Sequence, residues 1–470
     1  CHVRKIRKIQ KDFLTADPEK MTLIQNNPPE MPSYGKLGKL TLASYPDIVE
    51  LLADIYTAVA RTNASLGVLS QEKAAALSRA AKDLVKEAPL GATPIYGILG
   101  HPFYRNFAIL LAQKATTPAL TVTYSDVERN CASADITATL LNAAAYRMVK
   151  KNASSARQVA SALREKAGEF GTTVKCARNS LQDGLPIFLA EDFTSRAHGF
   201  ERIARRLENA LDTFTVSLLG AGNDATGLGT DSAFTQAVCT QLSDLTGVPF
   251  TFDSDPMDGL NAVDTPLFAH GLLKSLAVHY WKTMHDFVLM TSGPRGGIRE
   301  IALPAVAPGS SIMPGKVNPT MAQLGALIAD GVASSDAAAT ASAMSGWFSE
   351  GMRQSTILKA LLDSGNLLDR VMRKTIEKII TGIAAQPAFS EKEASRSQAL
   401  LVLVQKVLGN AIADRVFAVM QKEKCSVSEA LIKEKLLTPE RIAALFNLKT
   451  LATPGENTRL IRSLTNSLDA

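Results

Sequence analysis

Two stretches of this 470-residue chain gather side chains suited to holding a small acid and moving a proton on it. The first, Gly293-Pro-Arg-Gly-Gly-Ile-Arg-Glu300, is short and rich in glycine. The second, Pro308-Gly-Ser-Ser-Ile-Met-Pro-Gly-Lys-Val-Asn-Pro319, holds two glycines, two hydroxyls, a lysine, an asparagine and three prolines. Glycine lets the backbone approach a ligand closely, and proline stiffens a loop. Lys316 offers a positive charge and Asn318 an amide, a pair suited to gripping a carboxylate. Ser310 and Ser311 place hydroxyls beside that anchor. Ordinary linkers do not concentrate such groups, so this segment is expected to bind substrate and act on it.

The elements that would position this loop are helical. From the Pro46–Asp47 start, Ile48, Leu51, Leu52, Ile55, Tyr56 and Val59 recur at helical spacing, and a second helix is expected from Ser70 through Ala74 to Val85. Longer patterned stretches cover 133–170, 197–218, 261–291, 320–345 and 353–383. Strand signals are sparse, Ala119 to Val122 being one. The run Leu324 to Phe348 is rich in alanine and serine but carries Asp330 and Asp336, and reads as a helix packed closely on all sides. The pattern breaks at Gln386–Pro387, after which shorter helices begin at Ser426 and at Thr438–Pro439. The expected fold is all-α, with an N-terminal helical domain over 1–130, a central long-helix bundle over 131–381 and a small helical domain over 382–470. Helices this long cannot all be shielded within one subunit, which predicts a symmetric homo-oligomer.

Composition narrows the classes further. Hydrophobic residues make up 46% and charged residues 20%, an ordinary globular balance, and the net charge of +6 is small for the length. The one dense basic patch, Arg4, Lys5, Arg7, Lys8 and Lys11, reads as a solvated terminus rather than a nucleic-acid or lipid surface. No run reaches the ~18 strongly apolar residues of a membrane span, and no apolar signal core follows Cys1. Five widely spaced cysteines, an odd number, fit free thiols in a reducing cytoplasm better than a disulfide framework or a zinc site. Of six histidines only His279 and His285 are close, and six residues on a helix put them on different faces. His198, His270 and His279 read as structural residues of amphipathic helices. Neither a metal nor a cofactor is expected.

The run Gly309-Ser-Ser-Ile-Met-Pro-Gly-Lys-Val-Asn-Pro319 resembles the signature of the aspartase/fumarase superfamily. Ala269-His-Gly-Leu-Leu-Lys-Ser-Leu-Ala277, Ser292-Gly-Pro-Arg295, Leu181-Gln-Asp183, Thr226-Gly-Leu228 and Asn63-Ala-Ser-Leu-Gly67 are similar to the class II fumarase and aspartase branch, so the likeness covers about 45–450. It implies three largely helical domains in a homotetramer, with each active site assembled from three subunits. It implies that Ser310 is the general base, that Lys316 and Asn318 hold the substrate α-carboxylate, and that Ser311 donates to the charged intermediate. The loop would close over the substrate to exclude water.

The departures from that pattern gather in the substrate pocket. A Thr-His pair before Leu-Gln-Asp in fumarases is Asn179–Ser180 here, and the acid that partners that histidine is Gln323. The Ser-Ser-Asn-Asp motif appears as Ala132–Ser133–Ala134–Asp135, leaving Ser133 and Asp135, the latter equally suited to capping a helix. The Gly-Ser-Gly-Thr segment that binds a second carboxylate corresponds to Tyr96 to His101, where His101 and Arg105 offer a replacement anion site and Tyr96, Phe103 and Tyr104 offer aromatic faces. Gln182 and Asp183 are expected on the pocket wall. These changes point to a lyase that keeps the α-carboxylate but accepts another acidifying group in place of the β-carboxylate. It would perform anti β-elimination to a trans-unsaturated acid and cleave C–N rather than C–O, as an ergothionase-like amine lyase does in releasing trimethylamine. The alternatives are an ordinary aspartate ammonia-lyase or fumarate hydratase, and a non-catalytic paralogue, against which the intact loop argues.

Overall fold

The computed structural model describes residues 39–41, 46–87, 94–96, 101–293, 295–307, 309–344 and 354–469. The basic N-terminal cluster, Cys1 and Phe348 lie outside these residues, as do the side chains of Tyr96, His101 and Phe103. Internal contacts divide the chain into two units. Unit 1 comprises Cys1–Asn152, Arg206–Ser275 and Gly331–Leu367; unit 2 comprises Ala153–Arg205, Leu276–Asp330 and Leu368–Ala470.

Unit 1 opens with α1 (Pro46–Ser65) and α2 (Gln71–Glu87), followed by α3 (His101–Ala115) and the short α4 (Tyr124–Val127). Proline at the first position of α1 presets its φ, and Asp47 in the first turn offsets the helix dipole. Ile48, Leu51, Leu52, Ile55, Tyr56 and Val59 are all buried, as their spacing predicts. Ser70 Oγ accepts the Lys73 N–H at 3.2 Å and caps α2. The strand expected over 119–122 is instead a tight turn with a single Thr117–Leu120 bridge. Thr116 takes up the local backbone: its Oγ1 bonds both the carbonyl and the N–H of Val122, groups that a strand partner would otherwise use.

Helix α5 (Ser133–Phe170) has the bounds its pattern predicts, and its 38 residues span about 57 Å. Its start is fixed by Asp135, which is buried and accepts the backbone N–H groups of Ala132 at 2.9 Å, Gly220 at 3.1 Å and Gly222 at 3.0 Å. Gly220 and Gly222 have φ of +100° and +81°, a region that other residues rarely enter, and only there do both N–H groups converge on one carboxylate. Burial pushes this carboxyl up to about 7 despite the backbone donors that favour its charged form. The capping explanation of Asp135 is therefore the one its contacts support.

Helix α6 (Leu189–Asn209) starts and stops earlier than the expected 197–218, because Glu191 accepts the Phe188 N–H at 3.2 Å and a tight turn over Leu211–Phe214 follows. Then come α7 (Ser232–Thr246), α8 (Pro256–Asn261), α9 (Asp264–Met290), α10 (Thr320–Ala343) and α11 (Gln354–Lys378). On helix α10, Ala322, Ala329, Val332 and Ala339 are buried, whereas Leu324 is 44% and Leu327 66% exposed in the single chain.

Unit 2 also contains an element that the sequence reading missed, the antiparallel hairpin of Val174–Asn179 with Gln182–Phe188. Its turn is Ser180–Leu181, both in left-handed conformation with φ of 48° and 61°, the pairing that matches the twist of two-residue hairpins. At the predicted break, Pro387 opens α12 (Pro387–Arg396). Six further helices follow: α13 (Leu401–Leu408), α14 (Asn410–Glu423), α15 (Val427–Lys433), α16 (Pro439–Leu445), α17 (Leu448–Ala452) and α18 (Glu456–Asp469). They pack around Leu403, Val404, Val416, Leu431 and Leu445. Ser426 and Glu429 form a reciprocal cap on α15, and Thr438 caps α16 ahead of Pro439, both where the sequence places them. The fold is all-α, its few strands confined to short pairs among the described residues.

Replacing Asp135 by alanine leaves three backbone N–H groups without their acceptor, so Asp135→Ala is expected to cost about 3 kcal/mol or more. Urea unfolding checks this; a loss below about 1 kcal/mol would mean that water satisfies those groups and that Asp135 is not the keystone of this helix start.

Candidate active site

Ser310 sits in a closed turn of unit 2. Its N–H donates to the Lys316 carbonyl at 3.2 Å, and the Lys316 N–H donates to the Met313 carbonyl at 3.2 Å. Ser310 Oγ in turn accepts the backbone N–H groups of Ile312 and Met313, each at 3.2 Å. Donors aimed at an oxygen favour its anionic form, so this pair would lower the cost of making Ser310 an alkoxide. Gly309 is required for closure: a Cβ there would lie 1.5 Å from the Lys316 carbonyl oxygen. Ser311, Lys316 and Asn318 all expose their side chains, and the Asn318 carbonyl accepts the Thr320 N–H at 2.8 Å where α10 begins. Gln323, in the first turn of α10, is exposed as well.

The base of this segment is held by Glu300, whose side chain is almost fully buried. Its N–H donates to the Met290 carbonyl and its own carbonyl accepts the Gln386 N–H, both at 2.9 Å. The carboxylate meets Lys175 at 2.8 Å and also pairs with Arg178. Lys175 reaches Asp192 at 2.7 Å, and Arg196 joins Asp192 at 2.6 Å to Asp286 at 2.8 Å. Burial would raise the Asp192 carboxyl, but Arg196 and Lys175 outweigh it and hold that group at about 2. Sequence reasoning missed this cluster because its members are scattered from 175 to 300 and share no period.

The same cluster anchors the hairpin that carries Asn179 and Ser180, both exposed at its turn. Gln182 and Asp183 are exposed too, and Asp183 pairs with Arg178 Nε at 3.0 Å, which makes it a tether of the hairpin. In the glycine-rich segment, Ser292 Oγ donates to the Leu289 carbonyl at 2.6 Å and accepts the Ile298 N–H at 3.0 Å. Beside it Gly293, Arg295, Gly296 and Gly297 line a shallow groove.

In unit 1, Ser133 Oγ donates to Asn223 Oδ1 at 2.9 Å and shares a hydrogen bond with the Tyr104 hydroxyl. Asn223 also accepts the Ala134 N–H at 3.1 Å, so one amide oxygen ties down both the serine and the helix start. Arg105 lies over the Tyr124 ring, 5.8 Å from its centroid. His270 is fully buried between Asp336 at 3.1 Å and Ser364 at 3.0 Å, a brace closed to solvent. His279 bonds the Arg196 carbonyl at 3.3 Å, whereas His198 is exposed rather than packed. Among the described residues no three His, Cys, Asp or Glu side chains stand close enough to hold a metal ion.

A long-helix fold carrying a serine–lysine–asparagine loop between two of its longest helices defines a lyase of the aspartase/fumarase type. Residues 41–333 match the family model described as Lyase, and the chain belongs to that superfamily. It is 28% identical over 418 residues to the class II fumarate hydratase of Bacillus subtilis (strain 168), covering 87% of this chain and 90% of that one. It is 28% identical over 321 residues to the aspartate ammonia-lyase of the same organism, covering 68% of each. Among solved structures, the fumarate lyase:delta crystallin of Brucella melitensis bound to cobalt superposes with a TM-score of 0.83 at 26% identity, over 88% of this chain and 92% of that one.

Removing the Glu300 carboxylate leaves Lys175 and Arg178 facing each other without their shared acid. Glu300→Ala is expected to destabilise the chain by about 3 kcal/mol and to raise amide hydrogen exchange across 174–188 and 290–301. Unchanged exchange in those segments would show that the ionic cluster does not hold the loop base.

Proposed function

We propose that the chain catalyses anti β-elimination from an α-carboxylate substrate to a trans-unsaturated acid, breaking a C–N bond and releasing ammonia or an amine. Ser310, as its alkoxide, takes the proton from the carbon that bears the acidifying group. The electron pair left behind forms the new double bond as the C–N bond breaks, and the nitrogen departs with the bonding pair. Lys316 and Asn318 grip the α-carboxylate, and Ser311 donates to the charged intermediate. The observation that carries this reading is the pair of backbone N–H groups on Ser310 Oγ, which supply what a serine needs to act as a base.

Cleavage of C–N rather than C–O is supported by Asn179–Ser180 and Gln323, which replace the histidine and acid expected of a hydratase. A substrate that releases a tertiary amine, as in ergothionase-like chemistry, extends the same logic. The second reading, hydration of fumarate or deamination of aspartate, is favoured by the names of the relatives. The intact loop argues against a non-catalytic chain.

The proposed assembly is a homotetramer with sites shared among three chains. Leu324 and Leu327 on α10, with Phe268 and Val278 on α9, offer the apolar surface for it. The three-domain division at 130/131 and 381/382 belongs to the same proposal, as does a cytoplasmic location. No described helix is long and apolar enough to cross a membrane.

Ser310→Ala should lower turnover by about a thousandfold while leaving the melting temperature unchanged; turnover within threefold of the unaltered chain would remove Ser310 as the base. The substrate is sought by following alkene absorbance with aspartate, malate, argininosuccinate, adenylosuccinate and trimethylammonium amino acids. Two lost hydrogen bonds to a β-carboxylate slow aspartate and malate by roughly two to four powers of ten, and robust deamination of aspartate would restore the ordinary aspartase reading. Light scattering should give about four chains per particle, and an active monomer would contradict shared sites.

A further inference from the structure

A cavity of about 110 Å³ opens in unit 1 beside α5, α8 and the start of α9. Every residue that lines it belongs to that unit. Asn142, Asp253, Asp258, Thr213 and Thr265 give it polar groups, and Leu141, Val216 and Ala262 give it apolar wall. No lysine, arginine or histidine lines it.

Asn142 is only 9% exposed, and its Nδ2 donates to the Val216 carbonyl at 2.9 Å. That bond decides which end of the amide is left over. Oδ1 takes no hydrogen bond from any described residue, yet it is not sealed from solvent. For a side chain buried this deeply, the surface that Oδ1 keeps is the cavity. A buried acceptor turned to an opening without a donor calls for one from outside the chain.

Asp253 follows the strand Thr251–Phe252, which pairs with Val216–Ser217, and its N–H donates to the Ser217 carbonyl at 3.2 Å. Its Oδ1 accepts the Asp255 N–H at 2.9 Å, and its Oδ2 lies over Gly259. A Cβ on Gly259 would stand 2.2 Å from that oxygen and 2.8 Å from the Leu218 side chain. Gly259 sits within α8 and has no left-handed φ to require it, although glycine is unfavourable inside a helix. The room it leaves is room for a carboxylate. Neither Asp253 nor Asp258 has an ion-pair partner among the described residues. From Leu207 to Leu273 the chain has no lysine or arginine, yet it carries eight aspartates and one glutamate. In a chain of net charge +6, such a stretch draws cations and turns anions away.

We propose that this cavity is a binding site for a small protonated primary amine. Its N–H groups donate to Asn142 Oδ1 and to the Asp253 carboxylate, and its alkyl chain lies on Leu141 and Ala262. A bare metal ion matches less well, because among the described residues no three acids, histidines or cysteines converge on one point. A cavity of about 150 Å³ takes benzene, so this one holds about four non-hydrogen atoms. The proposal uses no residue of the Ser310 loop and stands whether or not the chain breaks a C–N bond.

The test titrates propylammonium, its isomer trimethylammonium and the neutral propan-1-ol into the full chain, with binding followed by saturation-transfer NMR. Propylammonium should bind about tenfold more tightly than either of the others. The alcohol lacks the charge, and trimethylammonium carries the same charge on a single N–H. Asp253→Asn keeps the shape of the side chain; it should weaken propylammonium about tenfold and leave propan-1-ol within about twofold. Propan-1-ol binding as tightly as propylammonium would show that shape alone fills the cavity. Equal binding of the two isomers would show a diffuse attraction of charge. Either result overturns the proposal, and neither comparison requires a variant to fold. Undiminished propylammonium binding in a folded Asp253→Asn chain overturns it as well, as does the absence of any transfer to propylammonium, which would leave the cavity to water.

Discussion

Long helices faced with alanine and leucine can slide past one another by a turn with little loss of apolar contact. What forbids it here is the set of buried polar pairs between helices, each of which breaks completely under a shift of about 5.4 Å. In unit 1, His270 on α9 is fixed to Asp336 on α10 and Ser364 on α11, and Asn152 on α5 donates to the Gly365 carbonyl at 2.9 Å. In unit 2, Ser155 donates to Asp369 at 2.5 Å, and Tyr280 and Thr375 share a hydrogen bond of 2.6 Å. The loop that carries Ser310 runs from the end of α9 to the start of α10, so the course of its two ends follows the register of those helices. A histidine bonded at both ring nitrogens and closed to water serves that purpose.

Much of the helical frame was legible in the sequence. The bounds of α5 follow from apolar spacing, and the caps at Ser70, Ser426 and Thr438 follow from residue type, because both signals are local. The hairpin over 174–188 was not legible. Its strands are short, they alternate imperfectly, and the turn is Ser180–Leu181 where asparagine–glycine would announce itself. The surroundings of α10 were legible only in part for a different reason: small side chains indicate close packing but not whether the partner lies in the same chain.

The candidate site divides along the same line. Ser310, Lys316 and Asn318 could be picked out because loop chemistry is written in consecutive residues. The cluster of Glu300 with Lys175 and Arg178 required three dimensions, since it joins residues far apart in the chain. Around Glu300 opposite charges are matched at close range.

Gly309 has a consequence for how such a protein can change over time. Any missense change in its codon adds at least a Cβ, and a Cβ there collides with the Lys316 carbonyl oxygen. Asn179 and Gln323 lie on exposed surface, where a new side chain meets little. A duplicated gene could therefore change at those two codons, yet have almost no viable neighbours at codon 309. Drift would then alter the exposed hairpin and the start of α10 long before it could touch the turn that holds Ser310.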